Sequence, residues 1–197
     1  ADIGYRYTLE ELGQAMMVPG LDLSAERALA AKRAYEEFVD NVAINGDADK
    51  NLSGLANYPG ITTVDAPLVG GNDDWGSKTG DQILADVNFI LSGMWTNSAT
   101  VEIADTLLMP ISSMALLSTM RLGDTTQTVL QFLLQNNLYS HTTGQPLLIR
   151  AVRGLETAGS GGNGRIIAYR RDPAVLKMHI PMTHRFMPVW QTGPLIF

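Results

Sequence analysis

Apolar residues recur at helical spacing in three places along the chain. In the first, Ala28, Ala31, Tyr35, Phe38 and Val42 are spaced by three, four, three and four, which predicts one helical stripe. Ser24 is the expected N-cap, and Asn45-Gly46 is the expected stop. The second stripe is Ile83, Val87, Ile90, Leu91 and Met94, with Trp95 adding bulk. Thr79 and Gln82 form a capping box ahead of it, and Asp81 suits the positive helix end. About 18 residues at 1.5 Å each make a rod of roughly 27 Å. The third stripe follows Gly123-Asp124-Thr125 and carries Val129, Leu130, Phe132, Leu133 and Leu134. A shorter helix capped by Ser112 is expected to reach Met120, and a short turn is expected between Thr8 and Met17.

Strand signals come later. Thr100 to Met109 reads as a strand that Pro110 ends. Leu147 to Val152, Arg165 to Tyr169 and Val175 to Ile180 read the same way. Helices early and strands late, without a regular βαβ alternation, predict an α+β fold.

The first two helices are separated by residues 43–78, a long connection with no helical pattern. Gly54, Asn57, Pro59, Gly60, Pro67, Gly70 and Gly71 punctuate it. It nevertheless carries Leu52, Leu55, Tyr58, Ile61, Val64, Leu68, Val69 and Trp75, too many apolar residues for a disordered linker. Connections of this length are unusual inside a compact domain. Gly60 to Leu68 is β-prone, and residues 69–74 are turn material, so an extended hairpin is expected. Two arms of roughly 14 residues, at about 3.3 Å per residue, reach about 45 Å. An isolated ribbon is marginal in water, so its packing partner is expected on another chain.

Charge sharpens this expectation. Residues 1–149 hold 18 acidic and 7 basic side chains, a net of −11. Residues 150–197 hold 2 acidic and 7 basic side chains, a net of +5. One end of a molecule can therefore attract the other end of a neighbouring copy. There is no cysteine, hence no disulfide or thiolate chemistry, in keeping with a reducing compartment. No run of 18 apolar residues suggests a membrane span, and the start ADIGYRYTLEELGQAMM lacks a signal-peptide pattern.

Chemistry-bearing residues do not converge. His179 and His184 are five apart with Pro181 between them and no carboxylate nearby to complete a metal site. His141 lies in a Ser/Thr/Gly loop and reads as solvated. The glycine-rich stretch Gly159 to Gly164 lacks the GK[ST] of a phosphate loop. Asp73-Asp74 reads as a solvated turn, and no G-x-S-x-G frames Ser112 and Ser113. Glu102 and Asp105 would point to opposite faces of a strand. No catalytic, cofactor or metal residue is assigned, and no enzyme activity or cofactor is expected.

Four stretches, in order, carry a resemblance. They are AKRAYEEFVDNVAING (Ala31 to Gly46) running into GLANYPGI (Gly54 to Ile61), then TGDQILADVNFILSGMW from Thr79. TLLMPISSMALLST (Thr106 to Thr119) with DTTQTVLQFLLQNN follows, and last RIIAYRRDPAVLKMHIPM (Arg165 to Met182). Together they resemble the HK97-type major capsid proteins of tailed bacteriophages, more narrowly the prophage-type capsid proteins. At 197 residues the chain is short for such a protein.

The resemblance implies an HK97-like fold with an N-terminal arm and leading helix at 1–45, and an extended loop at 46–78. A peripheral domain built on a spine helix would occupy 79–106 and 166–197, and an axial domain 107–165. The Gly159 to Gly164 loop would lie near a symmetry axis. It implies a structural protein whose partner is itself, in the hexamers and pentamers of an icosahedral phage head. Other phage head proteins and non-specifically held double-stranded DNA are further implied partners, with no membrane. Its place would be the virion capsid, assembled in the bacterial host cytoplasm. Some capsids of this fold crosslink Lys to Asn; neither Lys50 nor Lys78 is assigned that chemistry. Competing readings are an encapsulin-like compartment shell, an unrecognised enzyme, and a nucleic-acid-binding module. The last would use Arg150, Arg153, Arg165, Arg170 and Arg171 on one face.

Overall fold

The computed structural model describes residues 3–20, 22–180 and 185–187. The chain divides into two compact units, Ala1–Val42 with His179–Phe197, and Ala43–Met178.

In the first unit, helix α1 (Leu9–Met16) starts at a full capping box. Thr8 Oγ1 accepts from the Glu11 N–H at 3.2 Å, and Glu11 Oε2 accepts from the Thr8 N–H at 3.0 Å. The other Glu11 oxygen meets Arg27 at 3.1 Å, which ties α1 to helix α2 (Leu23–Asn45). The cap of α2 is Asp22, not Ser24. Asp22 Oδ1 accepts from the N–H groups of Ser24 and Ala25, so the acid takes the site two residues earlier. Of the stripe expected on α2, Ala31 is buried, while Phe38 stays exposed.

The second unit centres on a three-stranded sheet in the order β2-β1-β3. The central strand β1 (Thr106–Met109) runs parallel to β2 (Leu148–Ala151) and antiparallel to β3 (Ile167–Tyr169). All four residues of β1 are buried, as a strand covered on both faces should be. Leu107 and Met109 point into the main core, against helix α3 (Gly80–Asn97), helix α4 (Ile111–Thr119) and helix α5 (Val129–Gln135). Ile83, Val87 and Leu91 of α3, Leu117 of α4 and Leu133 of α5 are fully buried there. Leu108 and Ile167 face the opposite way, into a smaller core with Ala56 and Leu155. Helix α6 (Leu138–Thr143) follows α5 and packs on α3.

The three expected helical stripes thus fold as helices, and Gln82 Oε1 accepts from the Thr79 N–H at 2.9 Å. The expected strands shorten. Residues 100–105 leave the sheet, because the chain reverses at Ala99 and Thr100, both at positive φ. Residues 175–180 form no strand: Val175 and Leu176 donate to the Asp172 carbonyl in a turn, and among the described residues 177–180 join no ladder. Residues 60–68 also form no strand: among the described residues they have no ladder partner. Ser112 is not a cap. It lies in the first turn of α4, after Pro110 at the N-cap.

Candidate assembly surface

The connection between α2 and α3 is fastened at both ends and bare in the middle. Its entry begins where α2 stops. The last carbonyls of a helix have no partner inside it. Here the chain folds back and supplies them: Leu55 N–H donates to Ala43 O at 2.8 Å, and Ala56 N–H to Ile44 O at 2.7 Å. The Asn57 side-chain amide donates to Asn45 O at 2.9 Å, while its oxygen accepts from the Gly54 N–H at 2.6 Å. Two glycines make the crossing possible. A Cβ on Gly46 would stand 2.3 Å from Leu52 O, and one on Gly54 would stand 2.3 Å from Gly46 N. Gly46 also needs φ of +77°. Arg165 then donates a guanidinium N–H to the Ala56 carbonyl, joining this entry to the chain leading into β3.

The exit is fastened by a buried polar cluster. Asp86 lies on the core side of α3, between Ile83 and Val87 in the stripe, and is itself buried. One of its oxygens accepts from Lys78 Nζ at 2.7 Å and from Trp75 Nε1 at 2.9 Å. Lys78 Nζ also donates to the Pro67 carbonyl at 2.7 Å. The lysine side chain is 0% exposed. A buried charge needs both an opposite charge and further hydrogen bonds, and this cluster supplies them. It also places the returning arm of the connection relative to α3.

Between these fastenings the apolar side chains face solvent. Tyr58, Ile61, Val64, Leu68 and Val69 are all exposed, Val64 and Leu68 at about 70%. An isolated exposed apolar residue is ordinary, but a run of this kind along one segment marks a contact surface.

The residues weighed for chemistry are dispersed. His141 is exposed on α6, beside a shallow hollow lined by Phe89, Ser92 and Leu138. His179 is exposed, and His184 lies outside the described residues. Among the described residues, no three His, Asp or Glu side chains come together as a metal site. Ser112 is committed to Glu156, whose two oxygens accept its N–H at 3.0 Å and its hydroxyl at 2.6 Å. These bonds, the hydroxyl first, hold the Glu156 carboxyl below the usual carboxylate range. Glu102 and Asp105 do not diverge as a strand would require. Glu102 pairs with Arg170, and Asp105 accepts from the Arg171 N–H at 2.8 Å, so both meet consecutive residues. Glu102, through a hydrogen bond and its charge, raises the Arg170 pKa further above its usual value. No described helix is long and apolar enough to cross a membrane.

Asp86 is the residue of this surface that the hydrophobic pattern alone does not single out. An acid inside the apolar stripe of α3 is the signal that finds it, because such a position demands a buried cation.

A family model described as major capsid protein matches residues 1–197. The chain belongs to the major capsid protein family. No curated protein matches it. Among solved structures, the capsid of Myoviridae phage XM1 shares its fold, with a TM-score of 0.76 at 20% identity. That likeness covers 98% of this chain and 63% of the phage chain, so this capsid-family chain spans somewhat under two thirds of the phage protein. The mixed helix and sheet architecture expected from the sequence is the one found.

Proposed function

We propose that this chain is a shell subunit of a tailed-phage head, with an HK97-like arrangement of parts and no catalytic activity. In this reading α3 is the spine helix. Residues 1–45 are the arm and leading helix, and 46–78 the extended loop. Residues 79–106 and 166–197 form the peripheral domain, and 107–165 the axial domain. Copies associate as hexamers and pentamers of an icosahedral shell around double-stranded DNA. Assembly takes place in the host cytoplasm, where other head proteins join it, and the product is the virion capsid.

The observation that carries the reading is the connection 46–78. Both its ends are fixed by buried or main-chain bonds, while the apolar side chains of its middle stand exposed. Building a rigid base for an uncovered apolar segment makes physical sense when a second molecule covers it. Deleting residues 50–72 is expected to leave a soluble protein that forms no shells. Negative-stain microscopy of the intact and deleted chains tests this, and normal shells from the deletion would sink the reading. Copurified DNA, as opposed to a cargo protein, is the expected content.

A further inference from the structure

Two segments of this chain have the composition of strands and, among the described residues, no strand to pair with. In Thr62-Thr63-Val64-Asp65-Ala66, and again in Leu176-Lys177-Met178-His179-Ile180, residues alternate as a half-buried strand requires. Extended, the first puts Thr62, Val64 and Ala66 on one face, and the second Leu176, Met178 and Ile180. Val64, Leu176, Met178 and Ile180 are all exposed, at 42–68%. Among the described residues, the main chain of 62–66 and of 177–180 makes no hydrogen bond.

Charge selects one segment as the other's partner. The connection 46–78 carries five aspartates against Lys50 and Lys78, and Lys78 is consumed by Asp86. Residues 165–177 carry three arginines and Lys177 against Asp172. Within the two segments themselves, the charged residues are Asp65 and Lys177. Setting these two opposite each other in an antiparallel pair fixes every other position. Val64 then faces Met178, Thr62 faces Ile180, Ala66 faces Leu176, and Thr63 faces His179. All the apolar side chains fall on one face. The same register explains both ends. Pro67, which has no N–H, would stand opposite Val175, whose N–H is already given to Asp172. Pro181 follows Ile180 in the sequence and stops the other end.

We propose that residues 62–66 of one copy and residues 176–180 of a second copy form an antiparallel two-stranded ladder, with Asp65 against Lys177. The partner is thus a specific segment of an identical chain, joined by strand addition. The proposal rests on the shell reading and names where in the neighbour the extended loop lands.

The absence of native cysteine makes the test direct. Val64→Cys and Met178→Cys introduced together stand directly opposite, within reach of a disulfide. Val64→Cys with Lys177→Cys puts the thiols on opposite faces. Mild oxidation of shells should give covalent multimers on a non-reducing gel for the first pair and far fewer for the second. Mixing single variants should give heterodimers. Shells that form but crosslink equally in both pairs, or in neither, overturn the ladder and leave the shell reading standing. Failure of the unaltered chain to form shells overturns both. Should the cysteine variants not assemble, charge exchange decides. Asp65→Lys and Lys177→Asp should each impair assembly and together restore it, and lack of restoration overturns the ladder.

Discussion

Lys78 and Asp86 form a 2.7 Å ion pair with both side chains withdrawn from solvent. The pair joins the exit of the loop to the first turns of α3. Removing one partner leaves the other charged and buried, which costs about 3–5 kcal/mol. Asp86→Ala and Lys78→Met are therefore each expected to lower stability by that amount in urea denaturation. The double variant Lys78→Met with Asp86→Leu should lose less than either single one, because no orphaned charge remains.

Glu156 gives α4 a remote cap through Ser112. Its carboxyl sits below the usual carboxylate range, so the folded state holds the charged form more firmly than the unfolded state does. The stabilisation is full above the unfolded carboxylate value, about 4.3. It is lost as pH falls through the lower folded value. Glu156→Gln should therefore be less stable than the parent at neutral pH, and the gap should close on acidification. Thermal melts across pH 3–7 (roughly the range over which carboxylates titrate) check this.

The glycines at the loop entry have no room for a side chain. Gly46→Ala meets Leu52 O and must hold φ near +77°, and Gly54→Ala meets Gly46 N. Each is expected to cost roughly 2–5 kcal/mol. Gly13→Ala is the control: nothing lies within 4 Å of its would-be Cβ in α1, and it should gain about 0.5–1 kcal/mol. Chemical denaturation of the three variants separates steric need from helix propensity.

Ala99 and Thr100 end α3 at φ of +53° and +64°, a region that favours glycine. The Thr100 N–H bonds Trp95 O at 2.8 Å, and Trp95 Nε1 returns a bond to Thr100 O at 2.9 Å, so the turn is held in place. Ala99→Gly should relieve strain and raise stability by about 0.5–1 kcal/mol, visible as a higher Tm.

What could be read from the sequence was what the chain decides locally. The capping box at Thr79 and Gln82 and the stop at Asn45-Gly46 involve residues a few positions apart. Both were legible. Serine and aspartate both cap helices, and only the geometry shows that the oxygen reaching the free N–H groups of α2 belongs to Asp22 and not to Ser24. Strands need partners, so β-prone runs at 60–68 and 175–180 could not be told from true sheet members. The pairing of Glu102 and Asp105 with consecutive residues was hidden for a related reason: it depends on residues more than sixty positions away. The loop at 43–78 was visible as an anomaly of length, but its fastenings were not, since Asp86 looked like one polar residue in a helix.

The bonds that fix the two ends of that loop mostly join neighbours in sequence. Leu55 and Ala56 reach back 12 positions to α2, Lys78 reaches forward 8 to Asp86, and back 11 to Pro67. Closing chain segments of about ten residues takes on the order of 10–100 ns, and local contacts speed folding. Only the Arg165 bond to Ala56 must wait for distant chain. A newly made polypeptide can therefore set the base of its loop almost as soon as α3 exists. In the proposed shell the slow step would then be the encounter between subunits, which separates timing of growth from timing of folding.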